Sequence, residues 1–369
     1  MTRSSRLGGA LALLAVLSVP AAARAQVETG KYTGDAFDGH FISLTFRPEV
    51  LVVQSADVGG PVLCTSSMLP DRAKILATSD PLASGLVLSL EPDGFRLGSN
   101  PAVNGFGVTY YWVAFRPSAQ LAVGSYVATG ASSTPISVGF LPVAVLVVPE
   151  ASYMSTLRTA SSGADAYRIN GALEGDAITQ LNDDGFQVGA IGDVAESGQT
   201  YHYLAWAAGR GVAEGGYRGD GNDDRSISEV GFPPEYVLVK GMEASGTSAN
   251  AAAHRPASIE AGVDLSLAVN TKPPEANNIQ ALEANGFQVG THSRVNANGQ
   301  NYVWLAFANL TDGGTGGSSP DADTSGSLAR LSYRASPCGC AGGAGAAFPL
   351  LSVLLWTGSQ WVRRVRPST

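Results

Sequence analysis

The chain reads as an all-β protein: three tandem antiparallel β-sandwich repeats between a secretion signal and a transmembrane-like C-terminal tail. Three observations predict this. One set of landmark residues occurs three times at near-constant spacing. The segments between landmarks are rich in Val, Tyr, Phe and Thr, in runs of four to eight broken by Gly, Pro, Asn and Asp, which is strand composition with turn punctuation. Both ends carry uncharged apolar stretches flanked by arginine.

Each repeat opens on glycine and tyrosine: Gly30-Lys31-Tyr32, Gly124-Ser125-Tyr126 and Gly216-Tyr217. Ten residues after each tyrosine stands Ile42, Ile136 or Ile227. Then come Phe46-Arg47-Pro48, Phe140-Leu141-Pro142 and Phe232-Pro233-Pro234, each followed by a Val-rich run. A turn and strand follow: Asp93-Gly94-Phe95, Asp184-Gly185-Phe186 and Asn285-Gly286-Phe287. The final runs are Tyr110 to Phe115, Tyr201 to Trp206 and Tyr302 to Phe307. From the Gly-Phe phenylalanine to the final aromatic is 20 residues in all three repeats. The distance from Phe46, Phe140 and Phe232 to that phenylalanine varies (49, 46 and 55 residues), so loops of differing length belong there.

Asp-Gly or Asn-Gly before an apolar alternation signals a hairpin. Phe95 and Leu97 fall on one face and Arg96 on the other, as in a half-exposed strand. The final runs are apolar on both faces: Tyr110, Trp112 and Ala114 on one, Tyr111, Val113 and Phe115 on the other. That predicts a central strand covered on both sides. The alanine at the same place in each unit predicts close approach of a facing sheet. About 90 residues of short strands per unit favour a two-layer sandwich, jelly-roll or lectin-like first and Ig-like second.

The expected domains are a signal peptide at 1–25, repeats at 26–119, 120–211 and 212–310, a flexible linker at 311–337, and a sorting or transmembrane tail at 338–369. Arg3 and Arg6 precede the apolar Leu7 to Val19, and Ala23-Arg24-Ala25 is a cleavage pattern with Ala25 as the processed position. Gly313 to Gly326 has flexible-linker composition. Ala341 to Val362 is uncharged and long enough to span a bilayer, with Arg363, Arg364 and Arg366 held inside. Short junctions between repeats predict a rigid row.

Only 15% of residues are charged, against about 25% in an ordinary protein. Three of the 23 basic residues lie in 1–25 and three among the last seven, which leaves 17 against 31 acidic ones, a net charge of −14. That balance excludes a nucleic-acid binder. Of three cysteines, Cys64 stands without a partner in the body and reads as a small buried hydrophobe.

Chemistry-bearing motifs are sparse. The four histidines show no zinc-hydrolase spacing, and there is no Gly-x-Ser-x-Gly, phosphate loop or Cys-x-x-Cys. Hence no catalytic residue, cofactor or metal site is expected. His202 takes the place of Tyr111 and Val303 and reads as a core side chain; His40 and His292 read as solvated turn residues. Asp220, Asn222 and Asp224 alternate as calcium ligands would, with Asp35 and Asp38 in the equivalent stretch of the first repeat. An Asx-rich turn explains the same residues and is preferred. Tyr153 and Tyr167, in a variable loop region, are the candidate ligand platform.

Two resemblances extend this reading. Residues 29 to 308 resemble a repeat of phage tail-fibre regions and secreted bacterial proteins. Its pattern runs Tyr-x-Gly, Phe-x-Pro, Asp-Gly-Phe-x-Val-Gly, then Val-Asn-x-x-Gly-x-x-Tyr-x-Trp-x-Ala-Phe. Val295-Asn296-Ala297-Asn298-Gly299-Gln300-Asn301-Tyr302 matches it, whereas Val194-Ala195-Glu196-Ser197-Gly198 departs. The resemblance implies a non-enzymatic β module associated with surface contact. Residues Pro337 to Arg366 resemble the sorting tails of myxobacterial surface proteins, which implies processing near Cys338 or Cys340 and retention at the cell surface or outer membrane. The expected function is therefore binding or adhesion through variable loops. The expected partners are glycans, other surface proteins, and the export and processing machinery, with membrane contact through the tail. A structural spacer without a ligand is the alternative, and a glycan-active hydrolase the remote third.

Overall fold

A computed structural model describes residues 26–57, 59–242 and 251–309. The segments 1–25 and 311–369, with Ala25, Cys338 and Cys340, lie outside them. Among the described residues no helix is long and apolar enough to cross a membrane; the span expected at 341–362 is not among them.

The first repeat contains β1 (Val27–Thr33), β2 (His40–Ser43), β3 (Val50–Ser55), β4 (Val62–Thr65), β5 (Lys74–Ile75), β6 (Val87–Glu91), β7 (Gly94–Leu97), the single turn α1 (Pro101–Asn104) and β8 (Thr109–Phe115). The second contains β9 (Leu121–Val127), β10 (Thr134–Ser137), β11 (Pro142–Pro149), β12 (Thr156–Thr159), β13 (Tyr167–Arg168), β14 (Ile178–Asn182), β15 (Gly185–Val188), α2 (Gly192–Ala195) and β16 (Thr200–Ala207). The third contains β17 (Val212–Arg218), β18 (Arg225–Ile227), β19 (Tyr236–Gly241), β20 (Ala253–Pro256), β21 (Leu267–Ala268), β22 (Ile279–Glu283), β23 (Gly286–Val289), α3 (Ser293–Asn296) and β24 (Asn301–Phe307).

All three share one topology. A five-stranded sheet runs β1-β8-β3-β4-β5, and a three-stranded sheet runs β2-β7-β6; the second and third repeats reproduce both orders strand for strand. Every pairing is antiparallel. The first strand pairs with the last and the second with the seventh, the nested pairing of a rolled hairpin that a jelly roll also shows. The fourth and fifth strands extend the larger sheet instead of crossing to the other layer.

The landmarks now have causes. Gly30 pairs with Trp112, Gly124 with Tyr203 and Gly215 with Trp304. A Cβ on any of these glycines would fall 2.3 to 2.5 Å from the facing ring. The glycine is therefore a seat for an aromatic side chain, and in the third repeat that seat is Gly215, not the Gly216 adjoining the tyrosine. The next landmark, the tyrosine, stacks on the first tyrosine of the final strand: Tyr32 on Tyr110, Tyr126 on Tyr201, Tyr217 on Tyr302, with centroids 5.2 to 5.3 Å apart. Both hydroxyls of each stack hold the short helix. Tyr302 donates to the Ser293 carbonyl and accepts from the Ala297 amide, while Tyr217 donates to the Val295 carbonyl. These bonds satisfy backbone groups that a four-residue helix cannot satisfy itself. The same bonds recur in the other repeats.

The Asp-Gly signal marks a hairpin in each repeat, but glycine is not a central turn residue. The two-residue loops are Pro92-Asp93, Asp183-Asp184 and Ala284-Asn285, and glycine opens the returning strand. A side chain there would meet the carbonyl oxygen of Ile42, Ile136 or Ile227 at about 2 Å. The next residue, Phe95, Phe186 or Phe287, is fully buried. It lies edge-on against Trp112, Tyr203 or Trp304, with centroids 5.5 to 6.0 Å apart.

Each repeat encloses its own core between its two sheets. Tyr110, Trp112 and Ala114 and their counterparts face that core. The other face of the final strand enters a fourth core drawn from all three repeats, which includes Val50, Val113, Leu146, Leu204, Leu238 and Leu305. At its centre Phe115, Trp206 and Phe307 form a triangle with centroid separations of 6.0, 5.6 and 4.9 Å. The repeats thus close into a ring about a pseudo-threefold axis where the spacing predicts a row. Thr29 donates to Glu235 at 2.5 Å, the Ser161 amide to Glu214 at 3.0 Å, and Ser67 pairs with His202 at 2.9 Å. These three bonds join the first repeat to the third, the third to the second, and the second to the first.

Candidate functional site

The acidic stretches at the repeat tips are clasps. Asn296 is fully buried; its Nδ2 donates to Asp220 Oδ1 at 3.1 Å and to the Asn222 carbonyl at 2.8 Å, and its Oδ1 accepts the Asp220 amide at 3.0 Å. Asp220 Oδ1 also accepts the Asn222 amide at 2.9 Å, and Oδ2 lies 3.6 Å from Arg225. These bonds hold the Asp220 carboxyl below its usual pKa, the Asn222 amide foremost. Asp224 is exposed with φ at 54°. The arrangement is an Asx turn tied to an asparagine 76 residues away, with the Arg225 guanidinium beside its carboxylate. Asp35 and Asn104 repeat it. The second repeat has Thr129 and Ala195 at the two positions, so both halves of the clasp are replaced together. Among the described residues no three His, Cys, Asp or Glu side chains converge as a metal site.

Asn104→Ala is expected to cost about 1–3 kcal/mol, because it strands a buried amide and carbonyl. Adding Asp35→Thr should cost less than the sum of the two single changes, since the pair then matches the second repeat. Chemical denaturation of the four proteins measures this coupling; strict additivity would break the clasp reading. Millimolar calcium is expected to leave the melting temperature unchanged.

In the first repeat the clasp presents two phenylalanines that sequence reasoning passed over. Phe37 and Phe106 are 73% and 84% exposed. Phe37 is fixed by its amide on Asp35 and its carbonyl on Asn104, both at 2.9 Å. Phe106 precedes Gly107, whose amide bonds to Gly34 at 2.9 Å. The matching residues are Ala131 and Ser197 in the second repeat and Asn222 and Asn298 in the third. The signal for the pair is therefore visible only after the repeats are aligned.

The proposed platform divides. Tyr167 is only 3% exposed, and its ring faces Lys240 at 5.4 Å, so it offers no face to a ligand. Tyr153 is half-buried, lies against Gly192 and gives its carbonyl to Lys74 at 3.0 Å. Lys74 Nζ also donates to the carbonyls of Asp80 and Ala151. Burial draws Lys74 down to about 8. Cys64 is buried as expected, which pushes its thiol up to about 12, far from a reactive thiolate.

His202 is buried, with Ser67 Oγ 2.9 Å from Nδ1 and Glu150 Oε1 2.9 Å from Nε2. This order suggests a nucleophile, base and acid. The same junction position carries Ser161 and Ser258 in the other repeats, where no histidine meets them, so the serine belongs to the junction. The expectation of solvated His40 and His292 is corrected: both are partly buried beside carboxylates, Asp35 and Glu275, and His292 accepts the Arg294 amide to start α3.

His254 joins the third repeat to the first. Gln54 Nε2 donates to the carbonyls of Ala268 and Gly59, so Gln54 Oε1 faces His254 Nε2, 2.7 Å away, and that nitrogen carries the proton. Burial pulls His254 down to about 3, and burial also lowers His202. An unfolded histidine takes up a proton near 6.5. Stability is therefore whole above that pH and falls as pH drops toward the folded value, by roughly 1.4 kcal/mol per unit for one such group. Denaturation midpoints are expected to fall between about pH 7 and 5. His254→Leu, the residue type of Leu63 and Leu157 at the sister positions, should flatten that fall. A wild-type midpoint constant across that range would refute it.

A family described as Domain of unknown function (DUF7483) matches residues 213–310. Comparison with the curated proteins and with the solved structures finds no match. The matched segment coincides with the third repeat, β17 to β24, so the unit that this family describes is one sandwich of the ring.

Proposed function

We propose that the chain is an exported surface protein that binds a partner through the loop tips of its repeats and catalyses no reaction. The Phe37 and Phe106 pair carries this reading. Two large apolar side chains stand in water at one tip, on backbone already fixed by the Asp35–Asn104 clasp. Preorganised aromatic surface lowers the ordering cost of binding, and the sister tips are small or polar. The N-terminal cleavage pattern and the Cys338 to Arg366 tail pattern support export and retention at the cell surface or outer membrane. Glycans and other surface proteins are the partner classes. The test is binding of the mature chain to glycan arrays and to cell surfaces. Saturable binding that Phe37→Ser with Phe106→Ser reduces at least tenfold supports the reading. Saturable binding indifferent to that change moves the site elsewhere, and its absence on every surface favours a spacer.

A further inference from the structure

We infer that the first repeat holds an open receptor for a guanidinium group, in the cleft beside Cys64. Cys64, Arg158 and Arg255 occupy one position of the fourth strand, opposite Leu51, Val145 and Val237. In the second repeat the Arg158 guanidinium is buried and donates to the carbonyls of Ile178 at 2.7 Å, Ala164 at 3.2 Å and Gly163 at 2.5 Å. In the third, Arg255 is buried and donates to the carbonyls of Leu265 and Glu260. Asp165 and Asp264 supply negative potential to the two guanidinium groups. The second and third repeats therefore each build a carbonyl-lined seat between the fourth strand and the loop that follows.

In the first repeat the side chain is a cysteine, too short to reach that seat. A cleft of about 100 Å³ remains, lined by Cys64, Leu69, Pro70, Asp71 and Val87. Those residues hold the equivalent places. Leu69 stands four residues after the fourth strand, as do Gly163 and Glu260. Val87 pairs with Leu97 as Ile178 pairs with Val188, and the same register shift follows each. Asp71 stands three residues before β5, as Asp264 stands before β21. One water needs only about 10–15 Å³ of such space, so the cleft has room for a planar cation of a few atoms. Arg47, exposed, stands at the rim. The ligand class is a molecule or side chain ending in guanidinium, held as Arg158 and Arg255 are held by planar donors on fixed carbonyls.

The experiment titrates the full chain with butylguanidine, with a peptide bearing one arginine, and with that peptide's citrulline twin, read by calorimetry and thermal shift. Saturable millimolar binding of butylguanidine or of the arginine peptide, but not the citrulline peptide, is expected. The tighter of the two probes identifies the source, a free small molecule or a partner's side chain. Cys64→Arg should fill the seat, raise the melting temperature and abolish the response. Asp71→Asn keeps the oxygen that accepts the Gly85 amide and removes the charge; it should weaken binding about tenfold. Arg47→Gln should tighten it by removing a like charge. No saturable response to either probe, or a response in the Cys64→Arg or Asp71→Asn protein equal to that of the parent chain, overturns the assignment. A failed partner screen leaves this site untouched, and a failed titration leaves the surface reading untouched.

Discussion

Trp206→Ala is expected to destabilise all three repeats together, by about 3–5 kcal/mol. Its ring meets Phe115 and Phe307 on the axis, so its removal opens a cavity that belongs to every repeat at once. Amide protection should therefore drop in β8 and β24 as well as in β16. Trp206→Phe is the contrasting change. Among the described residues the Trp206 Nε1–H has no partner, and phenylalanine already serves at the two sister positions. That variant should stay within about 1.5 kcal/mol of the parent. Loss of protection confined to the second repeat after Trp206→Ala would contradict a shared core.

Phe287→Ala should cost a similar amount, about 3–5 kcal/mol, but in a different pattern. Phe287 sits in the core between the two sheets of the third repeat, edge-on to Trp304. Its loss should loosen β18, β22 and β23 first and leave β7 and β15 protected. Phe95→Ala and Phe186→Ala should do the same in their own repeats. Gln288→Ala, one residue along and on the outer face, should cost under about 0.5 kcal/mol. Hydrogen exchange resolves the two patterns; equal damage from Phe287→Ala and Gln288→Ala would remove the face assignment.

Much of the sandwich was legible because it is written in local periodicity. The alternation around Phe95, the two apolar faces of Tyr110 to Phe115 and the recurrent alanine each specify a strand and its covering. The ring was not legible. Val113 and Phe115 declare that something covers them, but a one-dimensional pattern does not say whether it is a sheet of the same repeat or of the next. The clasps were half legible: Asp35 and Asp220 stood out as acidic turns, while their partners Asn104 and Asn296 lie about seventy residues away and only the fold brings them together. The same distance hid the tyrosine stacks, whose members open and end each repeat. Tyr167 misleads because its loop has the length variation of a surface loop, whereas the ring puts that loop at a junction between repeats.

Joining the three sandwiches in one polypeptide has a consequence for how each can differ. In an assembly of three identical chains, any substitution near the axis would appear three times, and a costly one would be tripled. Here a change is made once and its neighbours stay as they were. Arginine can give way to cysteine in one copy, histidines can enter two seams and not the third, and aromatic rings can crown one corner, while the scaffold stays closed. The tether turns a symmetric frame into three separately adjustable surfaces.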